Sequence, residues 1–262
     1  MFPAPAGRAA GESRQPTVLF HITPLQACPY LPERMERKLW TDLSAVPGAT
    51  AGETFRRLSV QGFRRSHRVA YKPACPSCNA CVPVRVRADR FAWTRTLRRV
   101  RRDNAALSVV ERPPVATAEQ YALFSRYLDA RHHDGEMSGM AYDDYKHMVE
   151  DAPRDSGVLE LQAPDGSLRA ACLVDHVGGT GAGGSSGGLS AVYSFYDPDI
   201  PRLSLGTMVI LALIERAQAL ALPFVYLGYW IDGSEKMAYK ARFRPLEGLI
   251  DGRWQGIEPS SG

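Results

Sequence analysis

Residues 189–220, LSAVYSFYDPDIPRLSLGTMVILALIERAQAL, constrain the fold more than any other part of the chain. Residues 189–196 carry Val192, Tyr193, Phe195 and Tyr196, β-branched and aromatic side chains that suit a pleated, half-buried surface. Asp197-Pro198-Asp199 and Pro201 end that strand, because proline supplies no N–H to a ladder and fixes its own φ. Ser204 is placed to cap a helix, and residues 208–214 are apolar nearly all round, as in a helix buried between layers. A strand that turns into a helix N-terminus leaves backbone N–H groups free, which suits a phosphate or an oxyanion. An ordinary strand-to-helix turn has the same pattern, so function has to be read from what flanks it.

The flanks extend the layering. Residues 224–231 (FVYLGYWI) read as a strand, with Gly228 inviting close approach of another group. Upstream, residues 157–163 and 169–177 read as two strands joined at Pro164-Asp165-Gly166. Helices are expected at 118–132, with Tyr121, Phe124 and Leu128 on one face, and at 142–150. Residues 178–188, nearly all Gly, Ser and Thr, read as a flexible loop. Two antiparallel strands, a central strand, a helix and a following strand predict an α+β layer sandwich. That order is the one used by N-acetyltransferases of the GNAT type, an analogy of fold alone.

A chain of 262 residues accommodates one large domain or two small ones. We expect a leader at 1–16, a smaller cysteine-containing basic domain at 17–105 and a GNAT-like α/β domain at 106–258. In the middle segment, 28–40 read as a turn into a short helix and 57–68 as a strand entering a basic turn. Residues 82–88 alternate apolar side chains with arginine, which predicts a strand with one cationic face. No apolar run approaches the ~18 residues of a membrane span and no signal peptide is apparent, so a soluble cytoplasmic protein is expected.

Charge is informative by position. Residues 85–104 hold eight arginines against two aspartates. Arg95, Arg98, Arg99 and Arg102 recur at i, i+3, i+4 and i+7, which stacks four guanidiniums on one helical stripe. No glutamate interrupts it, so a polyanion such as RNA accounts for the stripe better than simple solvation does. Cys75, Cys78 and Cys81 sit in CPSCNAC, with Cys28 as a possible fourth ligand. A zinc ion, an iron–sulfur cluster and a set of reduced thiols are the alternatives.

Several segments together resemble one family. CPYLPERMER, GFRRSHRVAYKPACPSCNACVPVRV, RYLDARHHDGEM, AVYSFYDP, SLGTMVI and VYLGYWIDGSEKMAYKARFRPLE are similar to blocks of bacterial aspartate/glutamate leucyltransferases, relatives of the arginyl-tRNA–protein transferases. The blocks occur in the family's order over about residues 20–254. His67 stands where the family is expected to have glycine, and 178–188 has the character of an insertion.

The resemblance implies transfer of leucine from leucyl-tRNA to the N-terminus of proteins that begin with Asp or Glu, which marks them for degradation. Its partners are leucyl-tRNA and those proteins, with no membrane or DNA. The reaction is aminolysis of an activated ester, so no cofactor is required. Arg64, Arg65, Ser66, Lys236, Tyr239 and Lys240, within the densest matching blocks, are the expected acceptor-binding residues; a planar guanidinium fork matches a carboxylate. Arg95, Arg98, Arg99, Arg102, Arg202 and Gly206 are the expected tRNA contacts. His132, Asp197, Tyr193 and Tyr229 are the expected catalytic groups, for proton transfer or the tetrahedral oxyanion. RLSLGT keeps only Arg202 and Gly206 of the usual pyrophosphate loop, so acetyl-CoA is not expected as donor. The rival readings are an acetyl-CoA-dependent N-acetyltransferase and a non-enzymatic RNA-binding module with a structural metal.

Overall fold

The computed structural model describes residues 17–46, 48–131, 137–151, 156–177 and 187–258. In chain order come β1 (His21–Ile22), β2 (Gln26–Ala27), β3 (Met35–Glu36), β4 (Lys38–Asp42), α1 (Gly48–Val60), β5 (Arg64–Ser66), β6 (Val69–Pro73), β7 (Cys81–Arg87), α2 (Arg95–Asp103) and β8 (Ser108–Arg112). Then follow α3 (Ala118–Arg131), α4 (Tyr142–Glu150), β9 (Ser156–Gln162), β10 (Leu168–Val177), β11 (Gly188–Tyr196), α5 (Leu205–Ala219), β12 (Phe224–Ile231), α6 (Glu235–Ala238), β13 (Leu246–Ile250) and β14 (Arg253–Gly256).

An α+β architecture results. Eight strands form one sheet in the order β14-β13-β7-β12-β11-β10-β9-β8. Every neighbouring pair is antiparallel except β11 and β12, the two strands that α5 connects. A smaller sheet, β1-β4-β6-β5, and the hairpin β2-β3 accompany it.

Period-two alternation divides β10 between two cores. Ala170, Cys172 and Val174 face one side with α5 and α2, whereas Ala171 and Leu173 face the other with α3 and α4, joined there by Leu168 across a register shift. On the first side Val209, Leu211, Leu213, Ile214 and Ala217 of α5 are fully buried. The helix is apolar all round because Leu97 and Val100 of α2 cover the flank that the sheet does not.

The N-terminal segment departs from expectation. Residues 28–40 form the strands β3 and β4, because Met35 and Glu36 pair with β2 while Lys38–Asp42 pairs with β6. The charged run PERMERK imitates a helix face, but cross-strand pairing decides. Residues 57–60 end the helix α1, whose Phe55 and Leu58 pack on Leu43, Phe63 and Ala70; the strand β5 begins only at Arg64. β7 and α2 belong to the eight-stranded sheet and its main core, so a division at residue 105 cuts through one layer. The cationic face of β7 is covered too. Arg85 is buried over the Phe224 ring at 3.4 Å and the Trp254 ring at 4.3 Å, and is paired with Glu247 at 2.7 Å. Ser204 is left-handed (φ 50°) with no side-chain cap; its carbonyl, not its hydroxyl, engages the first turn of α5.

Candidate active site

β11 and β12 pair only from Gly188–Phe224 to Ser190–Tyr226, although β11 runs on to Tyr196 and β12 to Ile231. Past that point the two strands part. The guanidinium of Arg64 occupies the gap, donating to Ser190 Oγ (3.3 Å) and to the carbonyls of Ala191 (2.6 Å) and Val192 (3.4 Å). On the β12 side it lies against Gly228, where a Cβ would stand 2.9 Å from Arg64 Cζ. Gly228 also has φ +79°, so glycine is required there for conformation and for space. Three bonds engage part of a group with five N–H donors, and Arg64 is only half-buried.

Lys240 enters from the segment after α6 and is 4% exposed. Its Nζ donates to the Tyr229 carbonyl and reaches Met237 Sδ at 3.1 Å. Burial, with the Arg64 charge adding to it, brings the Lys240 ammonium down to about 7. The structure thus brings together Arg64 and Lys240, two cations far apart in sequence. Tyr239 is partly exposed, with Arg64 and Tyr196 as neighbours. The rings of Tyr127 and Tyr196 meet at a tilt of 60° with centroids 4.8 Å apart, and the Tyr196 ring leaves no space for a Cβ at Gly206. These two tyrosines were not foreseen; nothing local distinguishes them from core aromatics.

Other expected residues are committed elsewhere. Arg65 points to the opposite side of β5, where Nε and Nη2 meet the Asp175 carboxylate at 2.7 and 2.8 Å and Nη1 donates to the His67 carbonyl. All three of its nitrogens are engaged and the side chain is 0% exposed, so it fastens β5 to β10 and does not face an acceptor. Ser66 is exposed with its hydroxyl 3.2 Å from His67 Nδ1, and Lys236 is exposed. Asp197 is buried, with Arg126 at 2.7 Å, Arg169 at 3.0 Å and the Asp199 N–H at 3.2 Å, and so is a structural junction rather than a base. The Tyr229 hydroxyl donates to the carbonyls of Gly62 (2.9 Å) and Tyr71 (3.3 Å); burial raises its pKa, and it is not available to an oxyanion. Tyr193 packs edge-on to Phe124, and burial pushes its phenol up to about 12. His132 lies outside the described residues.

The four arginines share the exposed side of α2. Thr94 Oγ1 caps α2 through the Leu97 N–H, Leu97 and Val100 face the core, and Arg95, Arg98, Arg99 and Arg102 are exposed. Arg101, on the flank, pairs with Glu215. Asn104, after the helix, donates to the Leu203 carbonyl at 2.8 Å and so ties the end of α2 to the entrance of α5, where Arg202 is exposed.

Cys28, Cys75, Cys78 and Cys81 are free and partly buried. Burial, together with the nearby Cys75, Cys28 and Cys78 and with Glu36, pushes the Cys81 thiol up to about 11. Among the described residues no three His, Cys, Asp or Glu side chains converge as metal ligands do. The four thiols are nonetheless neighbours, since Cys75, Cys28 and Cys78 all act on Cys81. Among the same residues no helix is long and apolar enough to cross a membrane.

Family models match on both sides of this site. Residues 26–99 match the N-terminal model of the arginine-tRNA-protein transferases and 119–250 match the C-terminal one. The chain belongs to this family. A protein from Paramagnetospirillum magneticum named aspartate/glutamate leucyltransferase is 47% identical over 249 residues, 95% of this chain and 97% of its own. Relatives of the same name from Granulibacter bethesdensis (47% over 238 residues, 91% of this chain and 85% of that one) and Parvibaculum lavamentivorans (48% over 244 residues, 93% and 97%) agree. The first family model ends inside α2, beyond β5 with Arg64, and the second includes α5, β12 and Lys240. Both halves of the parted-strand site therefore lie in the matched regions.

Proposed function

We propose that this family member moves leucine from leucyl-tRNA to the N-terminal α-amine of proteins beginning with Asp or Glu, in the cytoplasm, and so creates a degradation signal. The observation that carries the reading is the pair Arg64 and Lys240 at the gap between β11 and β12: a half-buried guanidinium on the Ala191 carbonyl with N–H groups to spare, and a buried ammonium on the Tyr229 carbonyl. An acidic side chain with an adjacent free amine satisfies such a pair better than a neutral one does.

The chemistry follows. The neutral α-amine attacks the leucyl ester carbonyl; the new C–N bond forms, the C–O bond to the tRNA ribose breaks, and the amine's proton passes to the departing ribose oxygen. An α-amine has a pKa of about 8, so a useful fraction is already neutral near pH 7 and water suffices as relay. The reaction balances without nucleotide or metal. The N–H groups that Arg64 has left over and the ammonium of Lys240 hold the acceptor carboxylate. Arg95, Arg98, Arg99 and Arg102, with Arg202 and Gly206 at the start of α5, receive the tRNA. We read the splayed parallel pair bridged by a buried helix as the GNAT-type arrangement, with the RNA end in place of acetyl-CoA.

The test uses tRNAs charged with leucine, phenylalanine or arginine and peptides beginning with Asp, Glu or Lys. Leucine appearing on the Asp and Glu peptides alone supports the reading. Acetyl transfer from acetyl-CoA with no response to charged tRNA overturns it, as does binding of tRNA with no transfer to any peptide.

A further inference from the structure

We propose that the open depression between α2 and α5 is a nucleobase site, in which an unpaired base from the 3′ end of the tRNA stacks on the Trp93 indole. The proposal rests on the tRNA-dependent reading above and adds a specific contact to it. The depression holds about 380 Å³, within the range of sites that accept small planar groups, and is lined by Trp93, Arg98, Arg101, Arg102, Ala105 and Glu215.

Trp93 is held rigidly yet left open. It directly precedes the cap residue Thr94, and the neighbouring Ala92 N–H donates to the Arg244 carbonyl at 2.8 Å. Phe91 meets the ring edge-on at 5.3 Å and 80°, which fixes its plane. Only part of the indole is covered by the core, and the rest borders the depression. A pre-set aromatic plane loses little entropy when a second plane stacks on it.

The surrounding charge selects the kind of plane. Glu215 is the one acid in the lining, and Arg101 neutralises it with contacts of 2.8 and 3.1 Å. Arg98 then contributes net positive charge, with Arg102 partly offset by Asp103 at 3.7 Å, and both are continuous with Arg95 and Arg99 along the exposed face of α2. An aromatic face among cations is the arrangement that binds single-stranded nucleic acid, bases on the ring and phosphates on the guanidiniums. Paired bases have no free faces, so the occupant is the unpaired end. Asn104, at the opposite end of α2 from Trp93, ties that helix to Leu203, so the depression lies along the same helix pair as the entrance to α5, roughly 14 Å away at 1.5 Å per residue, a span that unpaired nucleotides bridge.

The experiment is a thermodynamic cycle. Dissociation constants are measured for wild type, Trp93→Ala and Trp93→Phe with uncharged tRNA and with the same tRNA shortened by its unpaired 3′ nucleotides. Trp93→Ala is expected to weaken full-length tRNA by about 5- to 150-fold, the worth of one stacked base, without changing the salt slope. The loss should vanish with shortened tRNA, and Trp93→Phe, which keeps the packing, should retain most of the affinity. Equal losses on both RNAs, or none on either, overturn the proposal. So does displacement of full-length tRNA by adenosine monophosphate at its own affinity for the site with shortened tRNA bound as well as the intact molecule, which marks a mononucleotide site instead. Because binding is the readout, the result stands apart from transfer: absence of leucyl transfer by wild type sinks the enzymatic reading and leaves this measurement interpretable.

Discussion

Replacing Arg65 with alanine separates architecture from chemistry at the two adjacent arginines. The Arg65 and Asp175 side chains are 0% and 2% exposed and share two short N–H···O contacts, while Ser156 Oγ donates to the same carboxylate at 2.5 Å. Removal of Arg65 strands the Asp175 charge and leaves the His67 carbonyl without its guanidinium donor. Breaking a buried pair by removing one partner costs about 3–5 kcal/mol. At roughly 2–4 °C per kcal/mol for a chain of this size, the melting temperature should fall by about 6–20 °C. Arg65→Met/Asp175→Leu, which removes both charges, should recover most of that loss. Thermal unfolding read beside transfer rates to Asp, Glu and Lys peptides makes the test. The relative rates among peptides should stay as in wild type at temperatures where the variant is folded. An Arg65→Ala protein that melts normally but loses its preference for acidic acceptors refutes the assignment of Arg65 to structure.

Three further outcomes concern the gap and the arginines of α2. Lys240 is brought down to about 7 where a free lysine stays charged to 10.5, so the ammonium that binds a carboxylate is lost as pH rises through 7. The KM for an Asp peptide should therefore climb about tenfold per pH unit above 7, Lys240→Arg should flatten that rise, and a flat wild-type KM from pH 6 to 9 contradicts the role. Gly228→Ala forces a left-handed alanine against Arg64. It should cost about 1–2 kcal/mol of stability and depress transfer to acidic peptides, and a crystal structure with Arg64 undisturbed would count against the gap being filled as described. Arg98→Glu/Arg99→Glu should lower the slope of log K against log salt for tRNA by roughly 0.7–0.9 per lost phosphate contact; an unaltered slope removes α2 from the RNA surface.

What the sequence reveals here depends on the range of the interaction. The strand, turn and helix at 189–220 and the stripe on α2 are legible because a period of two or of 3.6 is written into neighbouring residues. Arg64 and Arg65 are not distinguishable by the same means. Alternation along β5 sends one toward Gly228 and the other to Asp175, and both partners lie more than a hundred residues away. Asp197 is similar: its place before Pro198 marks a turn, but only the fold brings Arg126 and Arg169 onto it. The low pKa of Lys240 comes from burial by the chain around it, which no spacing within GSEKMAYK encodes. The resemblance to the family marks the blocks that matter; the structure separates, inside those blocks, the side chains at the β11–β12 gap from those that hold the layers together.

The central claim is that the gap between β11 and β12 recognises the acidic first residue through Arg64. The most direct measurement is the ratio of kcat/KM for peptides beginning with Asp and with Ala, at saturating leucyl-tRNA, in wild type and Arg64→Gln. The ratio should be large in wild type and collapse toward one in the variant, while tRNA affinity stays as it was. A variant that keeps the wild-type ratio would show that acidic acceptors are chosen somewhere else.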